Sequence, residues 1–301
     1  SFGLRTVIVT TSDQALENKL DQKKINIFDH LDSKFIKFLK KNGKIEESIF
    51  ISLGARWIFS RELIHFFKEN IFNFHRSRLP FDAGRGGFSW RIMNNDRIDN
   101  QLVHKITDKI DEGPILMSDA EVIPSEFRLP EQIDNFSSKR FLSFYKNFIN
   151  KISNGEKFIE KYQAKNIGSY YPRLNTLING WIDWNYNSNE LINFINAFDE
   201  PYFGASTMIN NERVYIKKAQ LHGGEMPNHP FMTGIITRHD KDWIIVSTKD
   251  KNSLIVEIVN NNKKKNIISS LKEGDRFYSP IKYLENSKNQ RIRYDSKGHI
   301  K

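Results

Sequence analysis

The chain has 301 residues, with 46 Lys and Arg against 36 Asp and Glu, a formal charge of +10 and an isoelectric point near 9.5. That length suits two domains, and 39% hydrophobic residues, including 23 Phe, exclude a largely disordered chain. With no cysteine, disulfides, thiolate metal sites and cysteine nucleophiles are excluded too. No apolar run approaches the ~20 residues of a membrane span, so a cytoplasmic protein with no membrane insertion is expected. The basic balance suits an anionic partner: a nucleotide, a nucleic acid or an acidic membrane surface.

In chain order, LRTVIVT (Leu4 to Thr10) is a β-branched run followed by Thr-Thr-Ser-Asp, the pattern of a strand and a helix cap. FIKFLKK predicts a basic amphipathic helix over about Lys34 to Lys41. SIFISLG, Ser48 to Gly54, reads as a buried parallel strand, RELIHFF as a helix over Arg61 to Phe67, and IFNF as a strand over Ile71 to Phe74. Short strands alternating with helices predict an α/β domain with an open, mostly parallel twisted sheet, in which ligands bind beyond the strand ends. Asn73 and His75 stand at such an end. LVHKITDKIDEGPIL, Leu102 to Leu116, begins as a strand and closes in the turn Asp111-Glu112-Gly113-Pro114. A helix and a return to a neighbouring strand of a parallel sheet would bring Asp111 back to the same crevice.

Beyond Pro130 a helix is expected over Phe141 to Ile152, an extended connection over Gly168 to Leu174 and an amphipathic helix over Ser188 to Phe198. STMI, RVYIKKA, GIITR, WIIVST and SLIVEIV then predict a small β-rich, barrel-like C-terminal domain. The resulting division is a catalytic domain over 1–165, a linker over 166–182 and a second domain over 183–301. Lys263-Lys264-Lys265 reads as a solvated loop. His222, Glu225 and His229 match no metal-ligand spacing, so no metal is expected.

An amide, an imidazole and a carboxylate at one strand edge suit acyl transfer to an amine. The Asn N–H can hold an oxyanion, and the His and Asp can stabilise charge or move a proton. No Ser or Cys nucleophile is needed when the substrate's own amine attacks. Taken alone, the spacing favours a structural histidine and a turn aspartate over a catalytic pair.

The combination FNFH, then LP with an Arg-Gly stretch, then IDEGPI resembles the folate-dependent formyltransferase family. That family moves a formyl group from N10-formyltetrahydrofolate, its co-substrate, to an amine. The resemblance implies catalytic roles for Asn73, His75 and Asp111, the last in an Asp-x-Gly motif with Gly113. SLGARWIFSREL, Ser52 to Leu63, is similar to the pterin-binding segment. By that match Arg56, Trp57 and Ile58 line the folate pocket, with Thr107, Ile110 and Gly113 in the opposite wall. SYYPRL, GWIDWN and LINFINAFDEPYFGASTMINNERVYIKKA resemble the C-terminal barrel shared by two branches, one acting on methionyl-tRNA and the other on a nucleotide-linked amino sugar. The resemblance runs from Leu4 to about Val259.

The loop LPFDAGRGGFSWRIM, Leu79 to Met93, looks more like the branch that formylates nucleotide sugars for surface polysaccharides such as the lipopolysaccharide O-antigen. Arg76, Arg78 and Arg85 suit a diphosphate, Gly86 and Gly87 an anion-binding nest, and Trp90 with Tyr170 or Tyr171 a base or sugar face. The expected partner is a dTDP-, UDP- or GDP-linked amino sugar rather than a nucleic acid, and a homodimer is allowed. Three alternatives stay open: methionyl-tRNA formylation, hydrolysis of formylfolate, and a non-catalytic nucleotide- or RNA-binding protein.

Overall fold

The N-terminal half begins with two short parallel strands, Ile8–Thr10 (β1) and Ile25–Ile27 (β2), followed by the helix Ser33–Asn42 (α1). The structure is a computed structural model that describes residues 8–10, 25–28, 31, 33–42, 48–54, 59–68, 70–84, 87–223 and 228–293. Phe50–Leu53 (β3) and Ile71–His75 (β4) pair in parallel, with the helix Arg61–Phe66 (α2) between them. Ser60 caps α2 by accepting a hydrogen bond from the Leu63 N–H at 3.3 Å, one of the donors a helix start leaves unpaired. Behind α1 and α2 a core of Phe35, Ile36, Leu63, Ile64, Phe67 and Ile71 is closed.

Parallel pairing, as expected, is present at β1/β2 and β3/β4. The next two strands run the other way. After the short strand Asp82–Gly84 (β5) and the helix Gly87–Met93 (α3), Ile98–Lys105 (β6) lies antiparallel to β4. Ile115–Val122 (β7) lies antiparallel to β6, giving the order β3-β4-β6-β7. The expected return of Asp111 along a parallel strand is therefore corrected. Residues 106–114 form the loop of a β6/β7 hairpin, and a short hairpin connection imposes antiparallel pairing.

The helix Pro130–Ser153 (α4) starts eleven residues before the predicted segment, with a proline in its first turn, where a missing N–H costs nothing. Phe144, Phe148 and Ile149 pack on Phe72, Phe74 and Val103 of the sheet, with Phe74 and Phe148 edge to face at 5.2 Å. Ser169–Tyr171 (β8), expected as an extended connection, pairs in parallel with β5.

The short helix Thr176–Asn179 (α5) is followed by Ser188–Ala197 (α6), whose start is a capping box: Asn187 and Glu190 each accept the other's backbone N–H at 2.9 Å. Ala205–Ile209 (β9), Glu212–His222 (β10), Ile236–His239 (β11), Ile244–Ser247 (β12) and Ser253–Asn260 (β13) form an antiparallel sheet in the order β11-β12-β13-β10-β9. Tyr278 bridges to Met208 on one edge and Arg276 to Ile235 near the other, so a single segment draws both edges together without completing a sixth strand. The helix Ile281–Asn289 (α7) follows. The larger core is continuous across the molecule, joining Ile92 of α3 and Ile133 of α4 to Leu191, Ile195, Val214 and Leu254.

Candidate active site

Asn73 and His75 are two residues apart on β4, so both side chains project from the same face of the sheet. The antiparallel register sets His104 of β6 directly opposite Asn73. Asn73 Nδ2 and His104 Nε2 are 3.1 Å apart, and His104 Nδ1 is 2.8 Å from the Lys105 carbonyl. A carbonyl only accepts, so Nδ1 carries the imidazole proton and Nε2 accepts from the Asn73 amide. One of the two Asn73 N–H groups is thereby used to orient the side chain.

The hairpin loop then carries Asp111 over the same face. Its Oδ1 lies 3.7 Å from His75 Nδ1 and 3.6 Å from His104 Nε2. His75 and Asp111 keep side-chain exposures of 20% and 23%, whereas His104 is sealed at 2%. The first two can meet a bound molecule and the third cannot. The nearest donor atoms of His75, His104 and Asp111 all lie within 4.8 Å of one another, the arrangement among the described residues that comes nearest to a three-ligand set for a divalent ion. Gly113 is required by packing: a Cβ there would stand 1.8 Å from the Lys105 carbonyl oxygen.

A cavity of about 500 Å³ opens beside His75, lined among others by Gly54, Asp82, Trp90, Arg91 and Tyr171. The Trp90 indole N–H donates to the Pro172 carbonyl at 2.8 Å, and its ring lies 5.8 Å from that of Tyr171. One face of this pair borders the cavity. Gly84 lets β5 approach β8 with φ +95, where a Cβ would sit 2.5 Å from the Tyr171 carbonyl. Tyr170 is exposed, with the Arg291 guanidinium 5.6 Å from its ring centre.

Two of the arginines expected to meet a diphosphate, Arg76 and Arg78, are engaged by carboxylates. Arg76 Nη1 donates to Asp134 at 2.7 Å and to Ser138 at 3.2 Å. Arg78 Nε donates to Asp82 at 2.9 Å and its Nη2 to Asp96, and the Asp82 hydrogen bond leads in holding its pKa above the ordinary value. Arg91, which carried no expected role, is buried, donates to the Arg76 carbonyl at 2.8 Å and lies 3.7 Å from Asp99. Burial pushes its pKa down. In the other wall Ile110 is exposed, and the half-buried Thr107 hydroxyl donates to the Lys109 carbonyl at 3.2 Å. Gly87 opens α3. Arg56, Trp57, Ile58, Arg85 and Gly86 lie outside the described residues.

Residues 176–276 match the family model for the C-terminal domain of formyl transferases. The chain is 26% identical over 235 residues to the bifunctional polymyxin resistance protein ArnA of Wigglesworthia glossinidia brevipalpis, covering 73% of this chain and 34% of that protein. It thus spans about a third of that relative's length. It is also 26% identical over 288 residues to a methionyl-tRNA formyltransferase of Pseudothermotoga lettingae, covering 92% of this chain and 87% of the relative. Among solved structures, the N-formyltransferase of Helicobacter canadensis in complex with folinic acid and dTDP-3-aminofucose shares the fold. Its TM-score is 0.58 at 22% identity, over 83% of this chain and 98% of the other.

Proposed function

Since this chain belongs to the formyltransferase family, we propose that it transfers a formyl group from N10-formyltetrahydrofolate to the amine of a nucleoside-diphosphate amino sugar. The observation that carries the choice of amine is the cavity of about 500 Å³ beside His75, walled by Trp90, Tyr171 and Arg91, whose size suits a small molecule. The relative from Helicobacter canadensis, bound to a dTDP-linked amino sugar, supports the same class. In this reading residues 1–165 are the catalytic unit, 166–182 the connection and 183–301 the supporting domain. The product serves surface-polysaccharide assembly, such as O-antigen, in the cytoplasm.

The chemistry follows from the site. The amine lone pair forms a bond to the formyl carbon, whose oxygen becomes an oxyanion. The Asn73 N–H not engaged by His104, together with His75, stabilises that charge. Asp111, close to both imidazoles, takes the proton released by the amine, and the bond to N10 breaks as that proton is passed on to N10. Arg56, Trp57, Ile58, Thr107, Ile110 and Gly113 are proposed to hold the folate. Arg76, Arg78, Arg85, Gly86, Gly87, Trp90 and Tyr171 are proposed to hold the nucleotide sugar. No step requires a metal.

Methionyl-tRNA formylation is the second reading, because the Pseudothermotoga lettingae relative aligns over 92% of this chain. Salt separates the two. A nucleotide sugar has two phosphates, so kcat/KM should change little between about 50 and 200 mM salt, against the ~10³-fold loss expected for six or more phosphate contacts. Formylation of charged initiator tRNA that collapses with salt, with no turnover of dTDP-, UDP- or GDP-amino sugars, would replace the first reading by the second.

A further inference from the structure

We propose that Gln163, which lies outside every motif of the sequence, is a positioning residue that holds the Asp111 loop in its working shape. The inference rests on the formyl-transfer reading for its kinetic consequence, but its structural basis is independent. Asp111 has φ +56, in the left-handed region that a residue with a side chain seldom occupies. That turn of the backbone is what aims its carboxylate at His75 and His104. Such a conformation persists only where its surroundings enforce it.

The ends of the loop are pinned by the hairpin: the Lys105 N–H donates to the Pro114 carbonyl at 3.0 Å, and Gly113 lies against Lys105 too closely for any Cβ. The apex is held from elsewhere. Gln163 Nε2 donates to the Asp111 carbonyl at 2.7 Å and to the Gly113 carbonyl at 2.8 Å. Both partners are acceptors only, so the amide nitrogen faces the loop and both its hydrogens are spent on it. Gln163 is itself anchored. Lys161 exchanges both backbone hydrogen bonds with Ile115 at 2.9 Å, Glu160 pairs with Lys105 at 2.5 Å, and Phe158 stacks on Phe148 of α4 at 5.0 Å. Asp111 is thus oriented from a segment about fifty residues downstream.

Two variants and two readouts test this. Gln163→Leu removes both donors. Gln163→Glu keeps the shape but is acceptor-only when ionised, and regains a single O–H donor when protonated. Both should lower kcat by about 10- to 100-fold, the scale of a small misplacement of a reacting group, with KM for folate and amine changed less than about threefold. The turnover of Gln163→Glu relative to the wild type should recover as pH falls toward the carboxyl range, and that of Gln163→Leu should not. Hydrogen exchange of residues 106–114, which needs no substrate, should quicken in Gln163→Leu while the C-terminal strands stay protected.

Unchanged exchange in that loop, or wild-type kcat in Gln163→Leu, would overturn the proposal, as would identical pH profiles for the two variants. Asp111→Ala is the control for the underlying reading: if it keeps full turnover, the catalytic assignment falls and exchange alone decides the role of Gln163. A wild-type protein that formylates no amine has the same consequence.

Discussion

Charged residues are used differently in the C-terminal half and around Asp111 at the β4/β6 edge. In the C-terminal half, opposite charges meet directly. Lys217 is buried with its ammonium 2.5 Å from Glu200 and hydrogen-bonded to the Tyr202 carbonyl at 2.9 Å, and Lys288 reaches Asp183 at 2.9 Å. The same half of the chain buries Leu254, Val256 and Val214 with no exposure at all. At the β4/β6 edge, the Asp111 carboxylate stands 3.6 and 3.7 Å from two imidazoles, beyond hydrogen-bond length, beside an open cavity. Close pairing favours a fixed structure, whereas wider spacing beside a cavity leaves room for a substrate to complete the contacts.

The largest expected effect breaks the catalytic side of this contrast. His75→Asn or Asp111→Ala should lower kcat by about 10²-fold or more, since in the proposed mechanism each supplies charge stabilisation or proton transfer, while the thermal midpoint holds. Wild-type turnover in either would remove that residue from the mechanism. The reciprocal change is Leu254→Ala, which empties a fully buried site and should cost about 2–5 kcal/mol of stability, read by denaturant unfolding. Specific activity of the folded fraction should be unaltered, and a selective loss of kcat without loss of stability would show that the two regions are not separable.

Arg78→Ala tests the border between them. Its guanidinium joins Asp82 and Asp96 at the cavity wall, so removal leaves two carboxylates facing a diphosphate. KM for the nucleotide sugar should rise about tenfold with kcat nearly constant, as for a contact made equally in ground and transition states. A change confined to the folate KM would place this loop against the other substrate.

The smallest effect is a titration. Burial opposes ionisation of Asp183, but the Lys288 hydrogen bond and the Asn185 N–H outweigh it and hold the carboxyl below its ordinary value of 3.8. Asp250 is likewise lowered, against burial, by the backbone N–H groups of Ser188 and Asn252 and by the Thr248 hydroxyl. A depressed carboxyl stabilises the fold fully above its unfolded pKa, and the contribution disappears as pH falls through the folded value. The unfolding midpoint should therefore drop as pH is taken below 3.8, and Asp183→Asn should shallow that acid limb. An unchanged limb would show that the pair contributes nothing to acid stability.

What the sequence determined by itself was local. RELIHFF is readable as a helix, and SIFISLG, IFNF and SLIVEIV as strands, because short apolar runs and helical repeats follow from backbone geometry alone. The two-residue spacing of Asn73 and His75 puts both on one face for the same reason. Composition by itself excludes thiolate chemistry, since a chain without cysteine has no thiolate to offer. The tertiary structure decided everything that depends on register and on distant chain meeting chain. His104 is an unremarkable residue in LVHK until antiparallel pairing sets it opposite Asn73. Arg78 stands in the sequence as one of several loop arginines, and only the folded chain brings Asp96, eighteen residues on, against its guanidinium. Gln163 has no motif at all, and only the folded chain brings its amide to the Asp111 loop. Such contacts leave no periodic trace, because they arise where the packing of whole elements carries two segments together, and one sequence read along its length does not encode that distance.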